Sequence, residues 1–520
     1  MSFKAFIIAG LLFAVFSLSL ISFDTQHSHI ADDDGRALFI KNCSACHMLP
    51  DPASLTKQIW HNHVLPVMAA RLGIIYPAYD PLRGLSAEEK KIVNNNYIIP
   101  DQPAMSDADW KKLSDYIVSN APDTVVIDES RLTRNAPLKA FKRQDIVLDG
   151  QQPSLITGLK YNNAKQTLWI GTLNNKVLRW KYGRGVTGTI NTSSPAVSFV
   201  FKNDTTYLTQ IGKLYPTELS TGLISQYVNG TNPTLLPALH RPVSIAVDDM
   251  NGDGLPEIVV CSFGNKTGQL SLFSKKKTNG NYSEKVLLKL PGAVKCYIRD
   301  MNGDGKKDIV AMFSQGDESV YVFYQKDKLK FTSSRVLRFP PNYGTTDMVL
   351  TDFDRDGKTD IITVHGDNAD YSNILKPYHG IRININNGNG KFSEKYFYPI
   401  YGVTRVLADD FDKDGDTDLV ATAFFPEFTK LIDESFIYLE NVDNKAFKFK
   451  SYTTKNATPI KTLTLEKADV DGDGDLDIIT GHFAQSPGAV PDSLDTKWRS
   501  ANYGLSIFYN QLYQPKKVKQ

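Results

Sequence analysis

The chain has 520 residues, enough for more than one domain, and 41% of them are hydrophobic. Its 59 basic and 57 acidic residues leave a formal charge of +2. That balance gives no basic surplus on which to base a nucleic-acid partner.

Taken from the start, Lys4 is followed by an uncharged, mostly apolar run from Ala5 to Phe23. The run is long for the core of a signal peptide and barely long enough to cross a bilayer. Residues 1–23 are therefore expected to be a signal peptide or membrane anchor, and the protein to be exported to the periplasm or cell envelope. Ser17-Leu18-Ser19 is a poor small-x-small cleavage site, and no cysteine stands nearby to carry a lipid.

Next comes Cys43-Ser44-Ala45-Cys46-His47, a C-x-x-C-H motif. Two thiols at this spacing can add to the vinyl groups of haem while the adjacent histidine ligates the iron. A thioredoxin-like redox pair would lack its βαβ setting, and a structural zinc site would need a second ligand pair, for which no further C-x-x-C exists. The ten residues before the motif, D-D-G-R-A-L-F-I-K-N, read as a helix packing through Ala37, Leu38 and Ile40. Ser106 to Ser119 reads as a second helix, with Ser106 as N-cap, Asp109 at N3 and Trp110, Leu113 and Ile117 at helical spacing. With Tyr116 on that last helix, residues 31–121 resemble a small all-α c-type cytochrome domain. The resemblance implies one covalent haem c on Cys43, Cys46 and His47.

The sixth iron ligand has four candidates: Met68, Met105, His61 and His63. Met48 is too close to the motif to reach the opposite face of the haem. Small c-type cytochromes commonly present a methionine ahead of the last helix, which favours Met105, yet Met105 abuts the cap Ser106. Met68 lies in W-H-N-H-V-L-P-V-M-A-A-R-L-G, where Pro66 disturbs the helix. That stretch is similar to the segment following C-x-x-C-H in envelope cytochrome–propeller fusions, and Met68 is preferred. Core packing is the alternative role for either methionine, and a solvated helix face for His61 and His63.

Ala121-Pro122-Asp123 closes this unit, and residues 122–137 read as a linker without apolar periodicity. Then 154–159 and 167–172 read as two strands around a polar turn at Asn162-Asn163, and a further four-strand unit is placed at about 190–240. After these, one pattern recurs five times. Acids or amides stand at positions 1, 3, 5 and 9 of a tight loop: Asp249, Asn251, Asp253 and Glu257; Asp300, Asn302, Asp304 and Asp308; Asp352, Asp354, Asp356 and Asp360; Asp410, Asp412, Asp414 and Asp418; Asp469, Asp471, Asp473 and Asp477. Clustered carboxylates need a hard cation between them, Ca²⁺ above all. Glycine at position 6 (Gly254, Gly305, Gly357, Gly415, Gly474) suits a left-handed turn.

An EF-hand would place glutamate at position 12, but here stand Val260, Ala311, Thr363, Ala421 and Thr480. Each loop leads into an apolar, largely β-branched run such as Ile258-Val259-Val260, a buried strand and not a helix. The loops begin at 249, 300, 352, 410 and 469, a spacing that accommodates about four strands. The repeat resembles the FG-GAP/VCBS repeats of integrin α-like β-propellers. This implies an all-β propeller over 138–514 with about seven four-stranded blades, five carrying calcium loops and so about five Ca²⁺. Gly504 to Asn510 is the expected closing strand, and 515–520 a basic tail.

Cys261 follows the first loop and Cys296 precedes the second; a disulfide is one reading and two small buried side chains the preferred one. Long insertions at His365–His379, Phe424–Glu434 and His482–Tyr503 fall at equivalent positions of the last three blades, so they are expected to gather on one face. They carry His365, Asp367, Asp370, Lys376, Tyr378, His379, Phe425, Glu427, His482, Trp498 and Arg499. No catalytic residue can be named. Three functions remain: single-electron transfer through the haem with the propeller docking a redox partner protein or envelope component; a sugar- or alcohol-dehydrogenase-like propeller enzyme with the haem as internal acceptor; and a surface-binding or adhesion module taking a small-molecule or glycan ligand on the propeller face. The first is preferred, because the third leaves C-x-x-C-H without work and the second lacks a two-electron cofactor motif.

Overall fold

The computed structural model describes residues 26–76, 79–126, 128–148, 154–276, 280–369, 374–455, 460–485 and 490–512, with the backbone alone for 26–33. The expected leader 1–23, the tail 515–520 and Asp370 lie outside the described residues. Among the described residues no helix is long and apolar enough to cross a membrane.

The N-terminal part is helical: α1 (Gln26–Cys43), α2 (Lys57–Ile59), α3 (Leu65–Arg71), α4 (Ala87–Asn95) and α5 (Asp107–Ser119). Helices α1 and α5 cross at Gly35, where a Cβ would lie 2.7 Å from the Lys112 carbonyl oxygen and 2.8 Å from Tyr116 Cβ. Only glycine lets the two backbones approach this closely. This corrects the packing face read from the sequence. Phe39 is buried and Leu38 half-buried, whereas Ala37 and Ile40 face solvent, because the contact runs through Gly35 and its neighbours one turn on. Phe39 joins Leu55, Trp60, Leu65, Trp110, Leu113 and Ile117 in one core, each large side chain contributing roughly 1.5–3 kcal/mol by burial. The Ser106 hydroxyl accepts from the Asp109 amide, as an N-cap should. Between α2 and α3 the turn Trp60–Val64 widens to a π-helical one, with the Leu65 amide bonded to the Trp60 carbonyl. Pro66 comes directly after; it has no N–H, and its ring would crowd the carbonyl four residues back in a regular helix.

Seven sheets make up the rest, arranged as a β-propeller. Blades 1 to 6 span 156–191, 196–239, 242–288, 293–338, 345–399 and 403–453, each four antiparallel strands in sequence order. Blade 7 takes its first three strands from 462–510 and its outer strand, Phe141–Val147, from ahead of blade 1. That strand pairs antiparallel with Tyr503–Asn510, from Phe141 opposite Asn510 to Val147 opposite Tyr503, and so closes the ring. The inner strands of neighbouring blades pack side by side around the ring, including blade 7 against blade 1. Second strands such as Glu257–Ser262 and Asp360–His365 are buried along their whole length, because each lies between neighbouring blades; this is why they read as unbroken apolar runs.

The segment 122–137 has firm partners. Arg131 pairs with Glu434 at 2.6 Å, both within a few per cent of full burial, and stacks 3.7 Å over the Tyr401 ring. Arg134 bonds to Glu434 and to the Pro399 carbonyl, and Ala136–Pro137 adds a short parallel strand to the edge of blade 6. The stretch straps the helical unit to blades 5 and 6.

Candidate functional site

The C-x-x-C-H motif lies where α1 ends. Cys43 and Cys46 are both free thiols, the first half-buried against the helical core and the second exposed. Burial, and then the neighbouring Cys46, push the Cys43 thiol up to about 11. His47 Nδ1 faces the Met48 carbonyl oxygen at 2.9 Å. A carbonyl can only accept, so the ring proton sits on Nδ1 and Nε2 keeps its lone pair, the state a metal-ligating imidazole needs. Burial pushes the His47 pKa down, and the charges of Asp317 and Arg338 on blade 4 act on it from across the contact with the propeller.

Of the axial candidates, Met68 on α3 and Met105 ahead of α5 both pack half-buried against the same core as Cys43. His61 and His63 are exposed on the π-helical turn, and His61 bonds to Asn62 instead. Two thiols, an imidazole with a free ring nitrogen and a methionine sulfur packed against the same core are the donor types that a covalently attached haem would use. Among the described residues, the groups of three acids, cysteines or histidines that converge within 4.8 Å do not include this motif, whose thiols and imidazole are spread rather than focused on one ion.

The helical unit rests on the propeller face formed by the second-to-third-strand and blade-to-blade connections. Glu89 accepts from the Thr217 hydroxyl and Glu218 amide on blade 2. The bond from Thr217 first, and then that from the Ser86 amide within the capping box, hold its carboxyl down at about 2. Ser54 accepts through its hydroxyl from Asn342 Nδ2 at 2.8 Å and through its carbonyl from the Tyr378 hydroxyl at 3.1 Å. Ile374, from the blade 5 insertion, packs into the helical core. The insertions, expected to gather on one face as the place for binding, are among the described residues largely packing elements. His365, His379 and His482 are fully buried, Lys376, Trp498 and Glu427 nearly so, and Asp367, Tyr378 and Phe425 half-buried; Arg499 is exposed and paired with Asp495. Trp498 belongs to the short helix α6 (Asp492–Ser500) and meets Phe428 of the blade 6 insertion, so the two insertions pack on each other. His482 instead joins a polar chain across the closing blade: its Nε2 meets the Ser506 hydroxyl at 2.9 Å, and that hydroxyl donates to Asp145 on the outer strand at 2.6 Å.

The five acidic loops join first and second strands on the opposite face. Position 6 has positive φ in each, from 79° at Gly305 to 102° at Gly415. Position 4 is left-handed too, with glycine in three loops but Arg355 and Lys413 in two. The backbone wraps inward: Asp249 accepts from the amides of Gly252, Asp253 and Gly254, and the other loops repeat the bond from position 6 to position 1. In blade 5 the carboxylates of Asp352, Asp354 and Asp356 converge within 4.8 Å, in blade 6 those of Asp410, Asp412 and Asp414, and in blade 7 those of Asp469, Asp471 and Asp477. Asp352 and Asp410 each bury a carboxylate oxygen with no hydrogen-bond partner, as a loop shaped for a cation would.

Position 9 does something the spacing did not reveal. Each of these acids opens the second strand, buried, and accepts from the amide of position 2; in blades 4 to 7 its other oxygen accepts from an amide near the end of the third strand. The carboxylate pins the loop to the blade as well as facing the acids. Burial pushes Asp360 up to about 6 and Asp418 and Asp477 to about 7. Acids also stand at position 7 of two loops, Asp416 and Asp475, outside the spacing pattern; Asp416 is half-buried, whereas Asp475 is 1% exposed with no hydrogen-bond partner on either oxygen. Its signal stands in the sequence, as the fourth aspartate in D-V-D-G-D-G-D-L-D.

A family model described as an FG-GAP-like repeat matches residues 249–311 and 300–363, the first three acidic loops. No curated protein matches the sequence. Among solved structures, the chain is similar to the WD40 domain of Neurospora crassa Pan2, at 10% identity and TM-score 0.43 over 73% of this chain and 98% of that one. It is likewise similar to the WD40 repeats of RRP9, at 10% identity and TM-score 0.45 over 72% and 99%. The chain carries FG-GAP-like repeats and forms a seven-bladed propeller; the blade count rests on its own strand order.

Proposed function

We propose that this chain is an extracytoplasmic haem protein that transfers single electrons, with a calcium-stabilised propeller as docking platform for a redox partner or envelope component. One observation carries the reading: two free thiols in C-x-x-C spacing beside a histidine whose proton is held on Nδ1, leaving Nε2 for a metal. Cys43, Cys46 and His47 would hold a haem c, with Met68 as sixth ligand ahead of Met105. Bound there, haem c supplies reversible one-electron exchange at iron. Trp60, Leu65 and Trp110 belong to the apolar core against which Cys43 packs, so one thiol of the motif is backed by a low-dielectric wall. The converging acids of the loops in blades 5, 6 and 7 would each hold one Ca²⁺, as would the loops of blades 3 and 4, which share their spacing; the ion neutralises charge where the chain turns between strands. A propeller enzyme or an adhesion module has less support, since most of the insertion side chains either would use are packed inside the protein.

The test is production in a host competent for cytochrome maturation, followed by acid–acetone extraction. Soret absorbance that stays with the protein supports the reading, and Cys43→Ser or Cys46→Ser should weaken attachment. Protein without residual absorbance sinks it. Reduction of the haem by a sugar or alcohol alone would move the conclusion to an oxidoreductase.

A further inference from the structure

The remaining two cysteines stand together. Cys261 lies in the second strand of blade 3 (Glu257–Ser262) and Cys296 in the first strand of blade 4 (Ala293–Arg299), strands that pack on each other across the blade boundary. They are 0% and 4% exposed, inside a core shared with Met250, Leu270, Ala293 and Phe313. Cys296 Sγ is 3.9 Å from the Val259 carbonyl oxygen, two residues before Cys261 in that strand, and the side chains of Val259, Cys261 and Cys296 all belong to that one core. Within this core each thiol is the other's reactive neighbour.

We propose that Cys261 and Cys296 form an inter-blade disulfide, made as blades 3 and 4 close on each other in an oxidising compartment. Successive blades share no strand ladder, since each sheet bonds internally; blades 3 and 4 meet through side-chain packing, the Gly292 amide on the Phe263 carbonyl, and Lys307, which pairs with Asp248 at 2.7 Å and donates to the Asp249 carbonyl. A bridge here would tie the strand leaving the first acidic loop to the strand entering the second, closing a loop of about 35 residues, long enough for the crosslink to restrict the unfolded chain appreciably. Burial sets the timing. Folded, both sulfurs are shielded from any oxidant larger than a few atoms, and burial keeps the Cys261 thiol protonated, so exchange has to precede closure. In the reaction two S–H bonds break and one S–S bond forms. Two electrons and two protons pass to the disulfide of a thiol–disulfide oxidoreductase, or to glutathione disulfide, which leaves as two thiols.

The proposal shares with the functional reading only the exported setting, and a refolding experiment removes even that dependence. The full chain is denatured, reduced and refolded with glutathione disulfide. The folded fraction is isolated by size exclusion, alkylated under denaturing conditions and digested without reductant. Peptides containing Cys261 and Cys296 should be recovered joined, separating on reduction. Protein folded first under reducing conditions and then given the same oxidant should return both as alkylated monomers. Alkylated monomers, or separate glutathione adducts, after oxidative refolding would overturn the bridge. Joined peptides after oxidation of the folded protein would overturn the order of events. A Cys261→Ala chain carried through the same refolding shows whether a missing bridge reflects failed folding.

Discussion

Glu318 shows how a single carboxyl can set a pH dependence. It is fully buried ahead of the third strand of blade 4 and accepts from the Gly344 amide and from the amide and hydroxyl of Thr345. The same hydroxyl meets His365 Nδ1, whose other nitrogen faces Thr363. Burial outweighs the three hydrogen bonds and pushes the Glu318 carboxyl up to about 7. A folded pKa above the unfolded one means that the fold favours the proton. The group's contribution is therefore complete below about pH 4.5 and is lost as pH rises to about 7. The shift corresponds to roughly 3 kcal/mol, and Glu318→Gln should remove that slope while leaving others in place. Chemical denaturation at pH 4.5, 6 and 7.5 measures it. Equal slopes for the two proteins would show that Glu318 ionises in the fold at no cost.

At the scale of elements, the strap over 122–137 was the least legible part of the chain. Its anchors, Arg131 and Glu434, lie 303 residues apart, and neither has a local pattern that hints at the other. Glu434→Ala leaves Arg131 buried without its carboxylate and leaves Arg134 only the Pro399 carbonyl and the Tyr398 ring, and should cost about 3–5 kcal/mol. Urea unfolding reports this; a loss below about 1 kcal/mol would mean that water replaces the carboxylate. The acidic loops were legible for the opposite reason. Ligand spacing, the glycine at position 6 and the apolar strand after it all fall within a dozen residues. Position 4 escaped notice because Arg355 and Lys413 adopt a backbone that sequence reading reserves for glycine. The helical unit falls between these cases. Its caps and core periodicity were readable, but the α1 face depended on Gly35, whose lack of a side chain leaves no apolar signal. Met68→Ala should abolish the sulfur–iron charge-transfer band of the haem-loaded protein and lower its potential, whereas Met105→Ala should leave both in place. The reverse pattern would assign Met105.

On the scale of the whole molecule, the propeller carries its helical unit on one face and its acidic loops on the other, so the two can be perturbed separately. The ring is closed in blade 7, where Phe141–Val147 bonds to Tyr503–Asn510. The last acidic loop lies in that blade, and its Asp477 also accepts from the Asn510 amide on the closing strand. A cation in that loop would therefore hold the closing strand in place as well as a turn. Each Ca²⁺ bound to the native state alone adds about 2.7 kcal/mol when free calcium is a hundred times Kd. On the proposed function, chelation should lower the unfolding temperature and open the loops to protease while leaving the spectrum of the haem-loaded protein nearly unchanged, because no acidic-loop residue belongs to the helical core. Asp471→Ala should reproduce part of that loss and cost more than Asn302→Ala. Opening blade 7 frees the closing strand, whereas blade 4 stays bracketed by two intact neighbours. Differential scanning calorimetry with and without chelator, on the wild type and both variants, distinguishes the cases. Equal losses for the two variants would detach the closing strand from the loop. An unchanged unfolding temperature, with only haem reduction by a substrate affected, would make the acidic loops part of the chemistry and not of the scaffold.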